Sequence, residues 1–140
     1  MPTLQLKVAP LLNPERYRAL AHALTRLTAQ HLGKREEVTA VVIDDLPAAR
    51  WYVGGRDVER ATALLEITIT AGTNTEPQKQ AFIAAAFAEL EQQLGHGQPL
   101  EEASYITVRE VAATDWGYGG RTQAARRHGA MPLAPQTAVF

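Results

Sequence analysis

Polar and apolar residues alternate from the start of the chain. Leu4, Leu6 and Val8 fall on one side and Thr3, Gln5 and Lys7 on the other, the two-residue period of a half-buried strand over residues 3–8. Asn13-Pro14 then supply an N-cap and a proline at the first helical position. Tyr17, Leu20, Leu24, Leu27 and His31 recur at helical spacing as far as Gly33, which reads as a helix stop. Residues 38–43, Val38-Thr39-Ala40-Val41-Val42-Ile43, are β-branched and largely apolar and predict a second strand. The same order follows again. Leu65, Ile67 and Ile69 mark a strand, and Thr75-Glu76-Pro77-Gln78 spells a capping box. Ile83, Ala86, Phe87, Leu90 and Leu94 form the next helical stripe, and Tyr105 to Val111 the last strand.

The recurrence is an internal duplication. Leu4-Gln5-Leu6-Lys7-Val8 is matched by Leu65-Glu66-Ile67-Thr68-Ile69 at a displacement of 61, Leu32-Gly33 by Leu94-Gly95 at 62, and Trp51-Tyr52-Val53-Gly54-Gly55 by Trp116-Gly117-Tyr118-Gly119-Gly120 at 65. Loop insertions, the larger around Gly97-Gln98-Pro99, account for the drift. Two copies are too few for a repeat array, so residues 1–121 read as one pseudo-symmetric domain, with repeats at about 2–55 and 63–120 and a tail over 122–140. The fold class expected is α+β. Each strand-helix-strand unit forms a parallel pair through a right-handed crossover, which puts both helices on one face of a four-stranded sheet. The other face then needs polar residues or a neighbouring subunit. In the last strand, Ile106 and Val108 face one way and Tyr105, Thr107 and Arg109 the other, so that second face is expected to be half polar, an oligomer interface that also lines pockets. The tail, with Arg126-Arg127-His128-Gly129 and two prolines, is expected to wrap a neighbour or fray.

Composition narrows the chemistry. The 140 residues are 46% hydrophobic and 21% charged, ordinary values for a globular domain, and a net charge of -1 gives no reason to expect a nucleic-acid partner. The absence of cysteine excludes disulfides and thiolate metal sites. No apolar run reaches membrane-spanning length and no signal-peptide layout opens the chain, so a cytoplasmic location and no membrane partner are expected. There is no glycine-rich phosphate loop and no nucleophile elbow. His22, His31, His96 and His128 lack ligand spacing, so neither a metal nor another cofactor is expected. The pairs Gly54-Gly55 and Gly119-Gly120 read as turns that need positive φ.

One residue offers chemistry of its own. Pro2 follows an initiator methionine that is normally trimmed before a small residue, and trimming would convert its nitrogen into a free secondary amine. An α-amino group starts near a pKa of about 7.7–8.0, and apolar walls with nearby cations lower it further. Such an amine can move a proton between the carbon beside a carbonyl and another site, or form an iminium. Proline is also a common second residue, but here it opens a strand.

With Pro2 opening the first strand, a duplicated β-α-β unit and a Gly-Gly pair ending each copy, the chain resembles the tautomerase superfamily over about residues 2–121. This group includes the 4-oxalocrotonate tautomerase, macrophage migration inhibitory factor and malonate semialdehyde decarboxylase branches. The resemblance implies a homotrimer of two-unit subunits, with a pocket around Pro2 near each subunit boundary. Glu76-Pro77-Gln78-Lys79-Gln80 and Asp115-Trp116 look like the decarboxylase branch. Gly33-Lys34 looks like the glycine-lysine pair of the migration-inhibitory-factor branch, whose lysine lies in the pocket, and Tyr105 looks like that branch's pocket tyrosine, with Thr107 where it carries asparagine. Trp51 stands where 4-oxalocrotonate tautomerase has a pocket aromatic. Each also has a plain structural reading: Lys34 as a helix-end cation, Tyr105 as an interface tyrosine, Trp51 as a core or interface aromatic. The departures concern the anion clamp. Leu12 and Ala40 stand where 4-oxalocrotonate tautomerase has its pocket arginines, and Gly72 and Asn74 lie near the decarboxylase pair, which leaves Arg50, Arg109 or Arg121 as replacements.

The function expected is keto-enol isomerisation of a small carbonyl or enol acid, with Pro2 as base and acid and Lys34, Trp51, Tyr105, Thr107 and Arg109 binding substrate. Alternatives within the superfamily are decarboxylation, hydration or dehalogenation; a hydratase would need a carboxylate to activate water, for which Glu110 and Asp115 are weak candidates. Outside it, the element order is also that of ferredoxin-like binding modules without chemistry. The second copy begins at the internal Ala63, so one amine, and one active site, is expected per subunit.

Overall fold

In the computed structural model, which describes residues 1–129, the alternating segment at the start forms β1 (Thr3–Ala9), with Leu4, Leu6 and Val8 fully buried. Helix α1 (Pro14–Leu32) starts at the Asn13 cap, whose side chain accepts from the Arg16 N–H at 2.8 Å, and ends at the left-handed Gly33. The next strand, β2 (Ala40–Asp45), begins two residues later than the hydrophobic run predicts. Glu36–Val38 form a 3-10 turn, closed by the Thr39 N–H on the Glu36 carbonyl at 3.1 Å, and this turn consumes Val38. The strand runs on through the polar pair Asp44-Asp45 because both register with β1 and because the Asp45 carboxylate accepts from the Leu12 N–H at 2.6 Å and the Tyr17 hydroxyl at 2.7 Å.

A hairpin follows, β3 (Tyr52–Val53) and β4 (Arg56–Asp57), turning through Gly54 and Gly55 at φ 62° and 78°. Two consecutive residues at positive φ match a two-residue turn that only glycine adopts without strain. The second unit repeats the plan: β5 (Thr62–Thr70), α2 (Glu76–Leu94), β6 (Tyr105–Val111) and the hairpin β7 (Gly117–Tyr118) and β8 (Arg121–Thr122). The Thr75/Gln78 capping box is formed in both directions. The duplication extends to single hydrogen bonds: the Val58 N–H on the Trp51 carbonyl at 3.0 Å is matched by the Gln123 N–H on the Trp116 carbonyl at 2.9 Å. Residues Gln123–Gly129 then form a short helix, α3. A helix here was not expected of the tail, and its two prolines lie outside the described residues.

The four long strands lie in the order β2-β1-β5-β6, with each unit's two strands parallel and the central β1–β5 pair antiparallel. This corrects the ferredoxin-like alternative. In that split arrangement a strand lies between the two parallel strands of each unit; here β1 and β2 hydrogen-bond directly, as do β5 and β6. Both helices cover one face. The core between sheet and helices joins Leu4, Leu6, Leu65, Ile67 and Ile69 to Leu20 and Leu24 of α1 and Phe82, Ala86 and Leu90 of α2. Arg16 Nη1 donates to Gln93 Oε1 across the two helices at 3.3 Å. The other face presents the rows Asp44–Lys7–Leu64–Tyr105 and Val42–Gln5–Glu66–Thr107, polar residues mixed with exposed apolar ones (Val42 59%, Tyr105 63%). No helix among the described residues is long and apolar enough to cross a membrane.

The buried stripe of α2 differs from the expected one: Phe87 is only partly buried, and Phe82 takes the place of Ile83. Phe82 is fully buried, four residues before Ala86 in the series Phe82-Ala86-Leu90-Leu94, whereas Ile83 is 38% exposed. Because α2 lies on the sheet along its i, i+4 ridge, the residue in line with Ala86 and Leu90 takes the core position. Phe82→Ala should therefore cost about 3–5 kcal/mol in urea unfolding, and Ile83→Ala less than about 1 kcal/mol. Equal losses would place the core boundary elsewhere.

Candidate functional site

The antiparallel join of β1 to β5 brings the first residues of unit one beside the last residues of unit two. Thr3 registers with Thr68 and with Ala40, and the Pro2 carbonyl accepts the Ala40 N–H at 3.2 Å, so Pro2 is held at the sheet end and is buried. It lines a cleft of about 400 Å³. The walls are Met1 and Pro2, Lys34 and Arg35 just after α1, Ile69, Thr70 and Thr73 from the end of β5, Tyr118 from the second hairpin, and Gln123, Arg126 and Arg127 from α3.

Hydrogen bonds brace these walls. Lys34 Nζ donates to Thr73 Oγ1 at 2.9 Å, and Thr73 Oγ1 donates to the Thr70 carbonyl at 2.6 Å. Trp116 Nε1 donates to Thr70 Oγ1 at 3.2 Å, which ties the second hairpin to β5. Gln123 Nε2 reaches the Met1 carbonyl at 3.4 Å, and Arg126 Nε donates to the Tyr118 carbonyl at 3.0 Å.

The lining carries four basic side chains and, among the described residues, no carboxylate. Its electrostatics follow from that imbalance. The terminal ammonium, here on Met1, is held below its ordinary pKa, first by burial and then by the charges of Lys34 and Arg35. Lys34 is likewise lowered, by burial and by Arg127, against a smaller opposing pull from Glu110. Pro2 is one residue further into the same surroundings.

Of the residues singled out by sequence, Pro2 and Lys34 meet in this cleft, and the others lie elsewhere on the protomer. Pro2 shares the inward parity of Leu4, whereas Arg109 points from the open face, in the row Thr3–Thr68–Arg109, 3.8 Å from Glu66. Tyr105 and Thr107 line a shallower depression of about 210 Å³ on that open face, with Gln5, Lys7 and Leu64. Trp51 follows the end of β2 and so lies at the opposite end of the sheet from Pro2. Sequence reading missed Thr73, Tyr118, Gln123, Arg126 and Arg127. The signal that could have found the last two is the Arg126-Arg127 doublet, which begins six residues after Gly120 of the second Gly-Gly turn.

The pseudo-symmetric counterpart of the cleft lies at the other end of the sheet, about 250 Å³ lined in part by Val58, Ala61, Leu94, Gly95 and His96. Where the first cleft has the chain terminus, this one has an internal peptide: the Ala63 N–H donates to Ser104 Oγ at 3.0 Å.

Residues 2–61 match the family model of tautomerase enzymes. Residues 62–122 repeat the same unit, and a structure of a fused 4-OT, the F6 wild-type asymmetric trimer, superposes with a TM-score of 0.77 at 26% identity, covering 89% of this chain and 98% of that one. The first unit is that of the tautomerase family, and the chain as a whole has the fused two-unit fold. The same fold is seen in N1, a member of the cis-3-chloroacrylic acid dehalogenase family, at a TM-score of 0.76 and 20% identity over 93% of this chain and 92% of that chain. It is seen again in macrophage migration inhibitory factor of Toxoplasma gondii, at 0.70 and 21% over 86% and 98%. No curated protein matches the sequence.

Because Lys34 contributes to the depressed pKa of the terminal amine, Lys34→Met, which keeps an apolar stem and removes the charge, should raise that pKa toward its ordinary value. Titration of the isotopically labelled amino-terminal residue by NMR would read the midpoint. An unchanged midpoint would show that Lys34 does not contribute and that burial and Arg35 set it.

Proposed function

We propose that the protein is a cofactor-independent tautomerase, in which Pro2, freed by removal of Met1, shuttles a proton during keto-enol isomerisation of a small 2-keto or enol acid. The observation that carries this reading is the burial of Pro2 in a cationic cleft where the terminal ammonium's pKa is lowered. In that setting a larger share of the amine is neutral near pH 7. Its lone pair takes a proton from the carbon beside the carbonyl, the electron pair moves to form an enolate, and the resulting ammonium returns the proton to oxygen. In the reverse direction the enol oxygen loses its proton and carbon gains one. A C–H bond is exchanged for an O–H bond, and neither water nor a redox partner is consumed. The cationic walls favour the enolate and hold the carboxylate.

Isomerisation is favoured over hydration or dehalogenation because those reactions need a carboxylate to activate water. The described lining has none: Glu110 is paired with Lys79 at 3.3 Å, and Asp115 accepts from the neighbouring Thr114 hydroxyl at 2.9 Å. Two measurements test the reading. Intact mass should show the loss of Met1. Ketonisation of phenylenolpyruvate, followed by absorbance, should fall by roughly 10²–10⁴-fold in Pro2→Ala. Retained Met1, or an equal rate in the variant, would exclude Pro2 as the base.

We further propose that the subunits form a homotrimer through the open sheet face, which would bring Trp51, Tyr105, Thr107 and Arg109 of one subunit toward the cleft of another. The exposed Val42, Leu64 and Tyr105 on that face and the trimeric fused 4-OT support this. Light scattering coupled to size-exclusion chromatography should give three times the chain mass, and Leu64→Glu should shift it toward the monomer. A monomeric parent protein would overturn this assignment.

A further inference from the structure

One wall of the Pro2 cleft comes from α3, a segment outside the two β-α-β units. Its two arginines are held differently. Arg126 is fixed against the second hairpin: Nε donates to the Tyr118 carbonyl at 3.0 Å, and the guanidinium lies 3.8 Å from the centroid of the Tyr118 ring. A Cβ on Gly119 would clash with Arg126 Nη2, so the bare turn lets the guanidinium pack against it. Arg127, next along the helix, is exposed, lines the cleft, and has no carboxylate partner among the described residues. Of the other basic side chains in the lining, Arg35 is paired with Glu37 at 3.2 Å, whereas Lys34 is satisfied by a neutral hydroxyl, that of Thr73. The cleft therefore gathers Lys34, Arg126 and Arg127 with no acid in its described lining, in a chain whose net charge is -1. Cations converging on one cavity repel one another unless an anion sits among them, and a guanidinium is shaped to bind a carboxylate through two parallel hydrogen bonds.

We propose that α3 is the anion-binding wall of this site: Arg127 binds the carboxylate of the substrate, and Arg126, anchored on Tyr118, is the positioning residue that fixes α3 over the cleft. The C-terminal helix then stands in for the guanidinium clamp that Leu12 and Ala40 leave missing from the first unit, and it selects 2-keto or enol substrates that bear a free carboxylate. The lowered pKa of Lys34, to which Arg127 contributes, agrees with their closeness. This assignment rests on the Pro2 reading for the identity of the reacting carbon, but carboxylate binding can be measured without turnover.

The test uses the full chain and phenylpyruvate, with its methyl ester as the uncharged control. By titration calorimetry, Arg127→Gln placed in the Pro2→Ala background should bind the acid about tenfold or more weakly than Pro2→Ala alone, with the ester unaffected. Arg127→Lys should recover part of the loss, because it keeps the charge but not the fork. Acid affinity should fall with ionic strength, and more gently in Arg127→Gln. In the chain that keeps Pro2, Arg127→Gln should raise KM for phenylenolpyruvate more than it lowers kcat. Arg126→Lys should produce a smaller loss of the same kind. Unchanged acid binding in Arg127→Gln, or equal losses for acid and ester, would overturn the proposal. A parent chain without turnover whose acid binding still depends on Arg127 would refute the Pro2 chemistry and uphold the α3 wall.

Discussion

The antiparallel pairing of β1 with β5 is the constraint from which the site follows. Within each unit the strands run parallel, so each unit alone would keep its start and its finish at opposite ends of its own sheet. Joining the units antiparallel inverts the second, and the start of β1 then meets the finish of β5 and β6. The pairing is secured by burial. Leu4, Leu6 and Val8 lie beside Ile67, Leu65 and Ala63, all at the centre of the sheet and covered by two helices. A one-residue slip would turn Gln5, Lys7 and Glu66 into the core, which fixes the register strongly. Pro2, the end of β5, the second hairpin and α3 converge for this reason alone.

The same inversion creates two clefts related by pseudo-symmetry, and their contents have diverged. The cleft at Ala61 and Val58 has an internal amide, hydrogen-bonded to Ser104, where the other has Met1-Pro2. His96 follows Gly95 where Lys34 follows Gly33, so the cation that helps depress the amine's pKa in one cleft has no equivalent lysine in the other.

Concentrated positive charge in a chain of net charge -1 has a structural cost, which local partners offset. Lys34 is half-buried and donates a hydrogen bond to Thr73, itself tied to Thr70; Arg126 lies on the Tyr118 ring; Arg35 pairs with Glu37. Desolvation at the chain start works in the same direction as these charges, because both disfavour an ammonium. One arrangement therefore has two effects: it disfavours the terminal ammonium and it turns several basic side chains toward one cleft.

Much of this was readable along the chain. Alternation in β1 and β5, the Asn13 and Thr75 caps, and the Gly-Gly turns at 54–55 and 119–120 are local signals, set by the periods of strand and helix and by φ preferences of single residues. The duplication, and with it the tautomerase likeness, came from the same one-dimensional information. Local pattern misjudged Phe82 against Ile83, because both lie on the apolar side of α2 and only the line of contact with the sheet separates them. It extended β2 back into a turn that Thr39 and Glu36 close, and it left the split and unsplit sheet orders undecided, since both share one element sequence. It gave Arg126 and Arg127 to a featureless tail. Sequence by itself determined the elements, their capping and the candidate amine, because these depend on neighbours a few residues away. Tertiary structure alone decided which end of one unit meets which end of the other, and so which cations surround Pro2, because strand pairing brings together residues more than a hundred positions apart and no local period records its direction.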